Sequence, residues 1–320
     1  MLKVVHSAGP HYPPMVVPSR LFQSIDSLDV DEVLALYREH GALLFRGFRL
    51  TKKNFWTFGG QYCSSFVRNG SGGRSVISKD TRVQTVGCGG DLFPFHPEIA
   101  RDPWKPDLAM FGCLSAPKEG GETLISDGCE VVKAMSPALR DELMKRQFHY
   151  LSTTSPEVCQ RWLEIEDIDA ETLERLKDKP PFRFTLNEDG SLLKLYVAPA
   201  LHKPMFTDDL AFGSFLLFSR FFHSNKHFPV FEDGSEVADE LCTTINELAY
   251  SVSYAHSWQK GDVLMLDNTR FMHARPDFND DGNRLIMSQF GFLGSAPISA
   301  AELATQPWRQ KPIWVESDQL

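Results

Sequence analysis

Short strand-like segments separated by turns dominate this chain of 320 residues. Few of them are joined by regular helices, and helical spacing of apolar residues occurs mainly near the start and in the middle. This pattern favours two antiparallel sheets packed face to face. The sequence therefore predicts a mainly β fold with helical decoration and a double-stranded β-helix (jelly roll) core. The predicted strands cover 42–48, 107–114, 182–186, 192–197, 263–267 and 284–292, with a further strand ending at Asp127.

Helices are predicted where apolar residues recur at helical spacing and where end signals flank them. Gly41 stands where a C′ glycine ends a helix. Pro137 is expected inside one long helix, at a position that a first helical turn tolerates. The acidic residues between 236 and 240 are expected on a solvated helix face. The predicted helices cover 29–40, a segment capped by Thr51, 129–146, 157–165, 171–177 and 236–249.

The stretches between these elements are informative too. Residues 1–20 are proline-rich and are expected to form an extended arm on the surface. Residues 68–91 are glycine-rich and form either a lid or substrate-contacting loop, or a surface loop without a role. Asp189-Gly190 predicts a type I′ hairpin turn. No proline- or glycine-rich linker divides the chain, so a single domain over residues 1–320 is expected.

The composition argues against some classes of binding partner. The formal charge of -9 and the pI near 5.6 argue against nucleic acid or an anionic membrane, because both require a concentrated basic surface. No apolar run approaches the roughly 20 residues of a membrane span. We expect a cytoplasmic protein that acts on a small molecule. The six cysteines form no CxxC pair, which favours free thiols over a disulfide framework; they lie at 63, 88, 113, 129, 159 and 242.

A candidate metal site begins with His96 and Glu98, which lie two residues apart. On an extended backbone both side chains leave the same face and can bind one ion. His273 is the candidate for a third ligand from elsewhere in the chain. Two histidines and one carboxylate leave three coordination positions open, as in non-haem Fe(II) oxygenases. The His-X-Glu pair alone is a weak signal, because a structural or surface histidine explains most such pairs.

Three further features follow in order. The turn 120–123 (Gly-Gly-Glu-Thr) ends 25 residues after Glu98, the segment 261–268 precedes His273, and Arg284 follows that histidine by eleven residues. With these motifs the chain resembles the TauD/TfdA family of Fe(II)- and 2-oxoglutarate-dependent dioxygenases. It is most similar to the clavaminate synthase-like members, which use His-X-Glu. The resemblance covers roughly residues 40–295, the expected core of the domain.

The resemblance implies a role for each residue. His96, Glu98 and His273 are expected to bind Fe(II), Thr123 and Arg284 to bind the cosubstrate 2-oxoglutarate, and O2 to take the remaining position at the metal. The chemistry agrees, because the distal carboxylate of 2-oxoglutarate needs a planar, permanently charged fork, and an added neutral donor such as Thr123. The charges of iron, Glu98, 2-oxoglutarate and Arg284 sum to zero, which limits the desolvation penalty of burying them.

Two positions bear on the substrate. Taurine-type enzymes carry a second arginine four residues after the cosubstrate arginine, where this chain has Ser288. An anionic anchor is therefore missing from that position, which makes a taurine-like substrate doubtful. Halogenases of the family have a small residue in place of Glu98, so hydroxylation or desaturation is expected rather than halogenation.

Several other residues have competing interpretations. His202, His223 and His227 surround a Phe-rich stretch, but their spacing fits no standard ligand set. Arg275 lines the pocket or pairs with Asp277. A further pair, Asp267 and Asn268, orients His273 or forms a turn.

We expect an oxygenase that oxidises a C–H bond of a small, amino-acid-like metabolite and releases succinate and CO2. Two alternatives come from other classes of protein: a non-catalytic jelly-roll protein that binds a ligand, and a zinc-dependent cupin-like enzyme. Neither alternative explains the presence of Arg284 together with the 120–123 turn.

Overall fold

The computed structural model describes residues 2–6, 9, 11–71, 73–77, 83–86, 89–163, 165–176, 182–279 and 282–316. Its strands are β1 (Lys3–Val5), β2 (Met15–Val17), β3 (Ala42–Phe45), β4 (Cys63–Gly70), β5 (Gln84–Thr85), β6 (Phe93–His96), β7 (Leu108–Ser115), β8 (Thr123–Asp127), β9 (Gln147–Thr154), β10 (Phe182–Leu186), β11 (Leu192–Pro199), β12 (Val230–Phe231), β13 (Ser253–His256), β14 (Val263–Asp267), β15 (Phe271–Arg275), β16 (Leu285–Leu293) and β17 (Ile313–Glu316). Its α-helices are α1 (Val30–His40), α2 (Lys52–Gly60), α3 (Gly128–Ala134), α4 (Pro137–Leu143), α5 (Pro156–Leu163), α6 (Ala170–Leu176), α7 (Leu216–Phe221), α8 (Asp239–Ser251) and α9 (Ala300–Thr305), with single 3-10 turns at Ile25–Ser27 and Pro307–Gln310.

These strands form three sheets. The large sheet has the order β1-β2-β3-β14-β7-β16-β4-β17, with β5 paired to β16, and the small sheet has the order β13-β8-β15-β6. A third sheet, β10-β11-β9-β12, is formed by the middle of the chain. Strand pairs are antiparallel, apart from β2 with β3 and β17 with β4.

A hydrophobic core joins the large and small sheets. Phe111, Leu264 and Phe290 of the large sheet cluster with Ile125 and Phe271 of the small sheet. Each of these side chains is at least nine-tenths buried, and full burial of such a side chain stabilises the fold by about 1.5–3 kcal/mol. Two antiparallel sheets packed in this way confirm the predicted jelly-roll core.

The first two helices begin where the sequence predicts. The Asp29 side chain accepts a hydrogen bond from the Glu32 backbone N–H at 2.9 Å, and α1 ends at Gly41, whose φ of 70° lies in the left-handed region. Thr51 caps α2 by accepting from the Asn54 N–H at 3.2 Å.

The single helix predicted over 129–146 is wrong, because the structure has two helices. α3 ends at Ala134, and Met135 and Ser136 are extended before Pro137 begins α4. A proline disfavours helical backbone at the preceding residue, so Ser136 leaves the helix. Its hydroxyl then caps α4 by accepting from the Leu139 N–H at 3.2 Å.

The predicted hairpin forms between β10 and β11, but its turn is not type I′. That turn requires positive φ at two successive residues, and here only Gly190, at 82°, has it. The Asn187 N–H donates to the Ser191 carbonyl and the Gly190 N–H to the Asn187 carbonyl. The loop therefore has three residues, and the last of them is a glycine with left-handed backbone. The pairing of Leu186 with Leu192 in the flanking strands fits a loop of this length.

Other boundaries differ by a few residues. The predicted 42–48 strand ends at Phe45, the 236–249 helix begins at Asp239, and the 284–292 strand begins at Leu285. The acidic residues Glu236, Asp239 and Glu240 are exposed, as expected, but Glu236 lies before the helix begins. The predicted 171–177 helix appears as α6, with residue 177 outside the described part of the chain.

The two stretches expected to be irregular contain strands. β1 and β2 extend the large sheet, and Val16 is fully buried, so part of the 1–20 segment is integral to the sheet. Within 68–91, β4 continues to Gly70 and β5 pairs with β16. Residues 72, 78–82, 87 and 88 of this segment lie outside the described residues.

The described helices include none that is both long and apolar enough to cross a membrane. The five cysteines that the structure describes are free thiols, as the sequence predicts: Cys63, Cys113, Cys129, Cys159 and Cys242. The sixth, Cys88, lies outside the described residues.

Candidate active site

The three candidate metal ligands meet at the end of the small sheet. His96 is the last residue of β6 and His273 lies within β15, and the two are directly opposite each other in the antiparallel pair. Glu98 follows His96 by two residues. One potential ligand atom from each of the three side chains lies within 4.8 Å of the others, and no other such group occurs among the described residues.

The His96 ring is oriented by the backbone. Its Nδ1 lies 2.7 Å from the Pro94 carbonyl oxygen, and since a carbonyl only accepts, Nδ1 carries the proton. Nε2 is therefore the nitrogen with a lone pair for a metal. Burial, followed by the neighbouring His273, lowers the pKa of His96 to about 3, which keeps the imidazole neutral, the form that binds metals.

The backbone of Glu98 is positioned by a side chain from outside β6. β6 ends at His96, and Glu98 lies in the following turn. The Asn268 side chain accepts from the Glu98 N–H at 2.8 Å and donates to the Glu98 carbonyl at 3.0 Å and to the Pro106 carbonyl at 2.8 Å. Asn268 thus positions Glu98, whereas the sequence analysis associated it with His273.

Asp267, the other member of that pair, forms the turn. Its Oδ1 accepts from the Thr269 N–H at 2.8 Å and from the Thr269 hydroxyl at 2.5 Å. Of the two interpretations for Asp267, the structure therefore supports the turn. This aspartate turn places Asn268 for its contacts with Glu98.

Both oxygens of the Glu98 carboxylate accept hydrogen bonds from one neighbouring segment. Asn69 Nδ2 donates to Oε2 at 3.0 Å and Arg74 Nη2 donates to Oε1 at 2.8 Å. Burial raises the pKa of Glu98, but Arg74 and His273 more than offset it, so the pKa lies below its ordinary value. Glu98 is therefore an anion, as a metal ligand must be. Sequence reasoning missed Asn69 and Arg74, whose only signal was their place in the glycine-rich segment.

Thr123 faces the pocket from the first position of β8. Its hydroxyl oxygen accepts a hydrogen bond from the Trp258 indole N–H at 3.0 Å. Because the indole can only donate, the Thr123 proton remains available for an acceptor in the pocket. Trp258 lies just before the 261–268 segment in sequence, and its contact with Thr123 is visible only in the fold.

Arg284 enters the same pocket just before β16 begins. Its Nε donates to the Gly121 carbonyl at 3.1 Å, and its guanidinium lies 5.9 Å from the centre of the Phe278 ring. Gly120 and Gly121 have φ values of 68° and 67°. The turn therefore needs glycine for its backbone, and it holds Arg284 beside Thr123.

We predict that Gly121→Ala weakens 2-oxoglutarate binding several-fold. A Cβ at this position would lie 3.1 Å from Arg284 Cδ, so the guanidinium would be displaced, and the left-handed backbone costs a further 1–2 kcal/mol or so. Calorimetric titration with 2-oxoglutarate measures the change. Gly190→Ala is the matched control, since Gly190 also has positive φ but no atom lies within 4 Å of its added Cβ. Equal 2-oxoglutarate affinity in both variants would contradict the role of Gly121.

An aromatic wall of Phe93, Phe218 and Phe222 lies beside His96, and of these three rings Phe93 lines the pocket. Phe218 contacts the His96 ring edge-on at 4.6 Å between centroids, and Phe222 lies 4.9 Å from Phe218 and 5.2 Å from Phe93. Phe222 is 41% exposed. Arg275 also lines the pocket, with its guanidinium 4.6 Å from the Phe93 ring centre. The pocket therefore combines apolar ring faces with cationic groups.

Ser288 does lie next to the pocket, although it cannot supply a charge. It is 1% exposed, and its hydroxyl accepts a hydrogen bond from Arg74 Nη1 at 3.2 Å. A guanidinium is therefore present near this position, but it comes from a different segment. Arg270, which flanks His273 in sequence, points away and pairs with Asp127 at 3.0 Å.

The three histidines around the Phe-rich stretch, His202, His223 and His227, do not come together. His202 Nε2 donates to the Thr269 carbonyl at 2.6 Å, His223 packs against Phe218, and His227 is exposed beside Glu236. Their separate contacts agree with the expectation from their spacing.

Partly buried His202 makes stability depend on pH. Burial, and secondarily Lys105, lower its pKa to about 3, so below its unfolded pKa near 6.5 the unfolded chain binds a proton that the folded chain does not. Stability therefore falls as the pH falls from about 6.5 to 3. We predict that His202→Gln reduces the stability lost between pH 7 and pH 5 by about 2 kcal/mol, measured by urea unfolding. An unchanged loss in His202→Gln would contradict the prediction.

The donor set fits a mononuclear metal centre. Two imidazoles and one carboxylate from the end of a jelly-roll sheet leave several coordination positions open, as in non-haem Fe(II) oxygenases. Fold and site together therefore define a mononuclear non-haem metal enzyme. A guanidinium and a hydroxyl group reach the same pocket and suit the distal carboxylate of a dicarboxylic acid.

Comparison with known proteins gives the family. Residues 14–289 match the model of the taurine catabolism dioxygenase TauD, TfdA family. The chain belongs to this family and is a 2-oxoglutarate-dependent dioxygenase with a non-haem iron centre.

Individual relatives are distant in sequence. A 3-((Z)-2-isocyanoethenyl)-1H-indole synthase of Fischerella ambigua is 24% identical over 269 residues, covering 81% of this chain and 85% of the relative. The dapdiamide synthesis protein DdaC of Enterobacter agglomerans is 24% identical over 310 residues, covering 88% and 91%. The crystal structure of PvcB from Pseudomonas aeruginosa matches 91% of each chain with a TM-score of 0.59 at 15% identity, a likeness of fold.

Proposed function

We propose that His96, Glu98 and His273 bind Fe(II), and that Thr123 and Arg284 bind the distal carboxylate of 2-oxoglutarate. The observation that carries this proposal is that all five side chains line one pocket. One potential ligand atom from each of His96, Glu98 and His273 lies within 4.8 Å of the others, which supports a shared metal ion. The Gly121 carbonyl holds Arg284, and the Trp258 indole leaves the Thr123 proton available to the cosubstrate.

When bound, the iron supplies the activation of O2. With 2-oxoglutarate at Thr123 and Arg284, the overall reaction would couple oxidative decarboxylation of 2-oxoglutarate to succinate and CO2 with oxidation of a substrate C–H bond by O2. The chain contributes orientation and exclusion of water: His96 presents one nitrogen, Asn268 and Asn69 fix Glu98, and Phe218 covers the His96 ring.

We propose a small, amino-acid-like metabolite as the substrate. The aromatic wall beside His96 suits an apolar or planar group, and the guanidinium groups suit an acidic one. The names of two relatives, which refer to an isocyanoethenyl indole and to dapdiamide, support a small molecule from specialised metabolism. We further propose that the chain is a single oxygenase domain, because strands from both ends of the described chain join the large sheet.

Anaerobic titration of the protein with Fe(II) and 2-oxoglutarate tests the proposal. Chelation of iron by the keto acid end of 2-oxoglutarate is expected to give a weak visible charge-transfer band, which the family resemblance implies. The band should be lost in Glu98→Ala and retained in His227→Ala. Bound iron without the band in the wild-type protein would exclude 2-oxoglutarate as the cosubstrate.

A further inference from the structure

Arg74 brings a guanidinium into the pocket from outside both sheets. It lies in the segment between β4 and β5, and its side chain is 11% exposed. Nη2 donates to Glu98 Oε1 at 2.8 Å, Nη1 donates to the Ser288 hydroxyl at 3.2 Å, and the guanidinium lies 5.4 Å from the Phe290 ring centre. Glu98 is its acidic partner within the described part of the chain.

Arg74 approaches the carboxylate oxygen that a metal ion would need. Glu98 Oε1 lies 3.5 Å from His273 Nε2, so it is the oxygen on the His273 side, where an ion shared by the two residues would bind. A divalent ion and a guanidinium at the same oxygen repel each other, because both are cations in a buried site. Asn69, which is neutral, holds the other oxygen.

The charges around the site indicate which kind of group would pair with Arg74 once a metal ion binds Glu98. The charges of Fe(II), Glu98, 2-oxoglutarate and Arg284 sum to zero, so the buried guanidinium of Arg74 adds one positive charge beside Glu98. Arg275 is a further cation of the pocket lining, and its guanidinium donates to the Asp91 carbonyl and packs over the Phe93 ring. A buried cation is stabilised by an anionic partner with matching hydrogen-bond acceptors, and a carboxylate offers two acceptors to the guanidinium fork. Ser288, one of its neighbours, stands where taurine-type enzymes carry their second arginine.

We propose that Arg74 is the substrate-anchoring residue of this pocket and that it exchanges Glu98 for a carboxylate of the substrate when a metal ion binds. This inference rests on the proposed function and deepens it, because it assigns the substrate class as a monoanionic carboxylic acid. The guanidinium that position 288 does not provide is supplied by Arg74. Phe93 and Phe111, the phenylalanine rings that line the pocket, then contact the remainder of the substrate.

Metal affinity separates this role from a structural one. If Arg74 competes with the metal for Glu98, Arg74→Gln should tighten Zn(II) binding at least tenfold. If Arg74 merely positions Glu98, the same substitution should weaken Zn(II) binding. Asn69→Ala is the matched comparison, since it removes a neutral donor to the same carboxylate and should weaken binding severalfold. Weaker or unchanged Zn(II) affinity in Arg74→Gln, measured calorimetrically on the full chain, overturns the proposal.

Substrate anchoring is tested on the protein loaded with Zn(II) and saturating 2-oxoglutarate. The probes are arylalkyl carboxylates of one to four methylene groups, such as 3-phenylpropionate, each paired with its neutral primary amide. We expect the best carboxylate to bind at least tenfold more tightly than its amide, with the preference lost in Arg74→Gln and partly kept in Arg74→Lys. No preference in the wild type, or a preference that survives in Arg74→Gln, overturns the proposal.

The results also distinguish this inference from the proposed function. If neither the wild-type protein nor Arg74→Gln binds Zn(II), the proposed function and the role of Arg74 are both wrong. If both proteins bind Zn(II) and 2-oxoglutarate equally well and without a carboxylate preference, the proposed function stands and the role of Arg74 falls. Arg146→Gln, which removes a guanidinium paired with Glu232 and Asp233 outside the pocket, controls for the change of net charge.

Discussion

His273→Ala is expected to weaken metal binding by roughly 100- to 1,000-fold and to abolish succinate production. Structural zinc sites gain about 10–16 kcal/mol from four ligands, so one ligand contributes on the order of 3–4 kcal/mol, and each 1.4 kcal/mol or so corresponds to a factor of ten. His273 also orders the site through its position opposite His96 on β6. Equilibrium titration with Mn(II) or anaerobic Fe(II) measures the affinity, and an assay for succinate measures turnover.

The control for this variant is His227→Ala. The His227 side chain is 82% exposed, lies outside the pocket and pairs only at the surface with Glu236. It should keep both metal affinity and turnover. Circular dichroism should show the same secondary structure for both variants, because the jelly-roll core lies between the sheets. Wild-type metal affinity in His273→Ala would remove this residue from the metal site.

Arg284→Gln is expected to weaken 2-oxoglutarate binding by about 100-fold or more while leaving metal affinity unchanged. Removing one partner of a buried ion pair costs about 3–5 kcal/mol, and the neutral amide cannot form a charged fork with a carboxylate. Arg284→Lys should fall between the wild type and Arg284→Gln, since it keeps the charge but loses the bond from Nε to the Gly121 carbonyl. Calorimetry with Zn(II)-loaded protein separates the two affinities.

Arg270→Gln provides the matched control. Arg270 lies between Asn268 and His273 in sequence, yet its guanidinium pairs with Asp127 at 3.0 Å rather than entering the pocket. The change should lower the free energy of unfolding and leave 2-oxoglutarate affinity near the wild-type value. If Arg270→Gln weakened 2-oxoglutarate binding as much as Arg284→Gln, the assignment of the cosubstrate site to Arg284 would be wrong.

The sequence predicted helix ends correctly where they depend on contacts between residues close together in the chain. Asp29, Gly41 and Thr51 end or begin helices through contacts within four residues, and these were predicted correctly. The single long helix over 129–146 was wrong because Pro137 was placed inside one helix, whereas a proline disfavours helical backbone at the preceding residue, here Ser136. The predicted type I′ turn at Asp189-Gly190 was wrong because two residues at the tip do not determine the length of the loop. The register of the flanking strands determines it.

The sequence by itself determined the kinds of groups in the site. A metal, a keto acid and their charges require two imidazoles, carboxylate, hydroxyl and guanidinium side chains, and His96, Glu98, His273, Thr123 and Arg284 occur at spacings that an antiparallel jelly roll can bring together. Each of these residues alone is a weak signal; the resemblance to the TauD/TfdA family implied their roles, and the chemistry of each residue type agrees with those roles.

Only the tertiary structure decided which residues surround them. Asn268 holds the backbone of Glu98 across 170 residues of chain, Trp258 reaches Thr123 across 135, and Arg74 reaches Glu98 from the glycine-rich segment 24 residues away. Many residue types can make such hydrogen bonds, and which ones meet depends on how β6, β8 and β15 pack against the large sheet. No local pattern encodes those distances, because they are set by the packing of the whole chain.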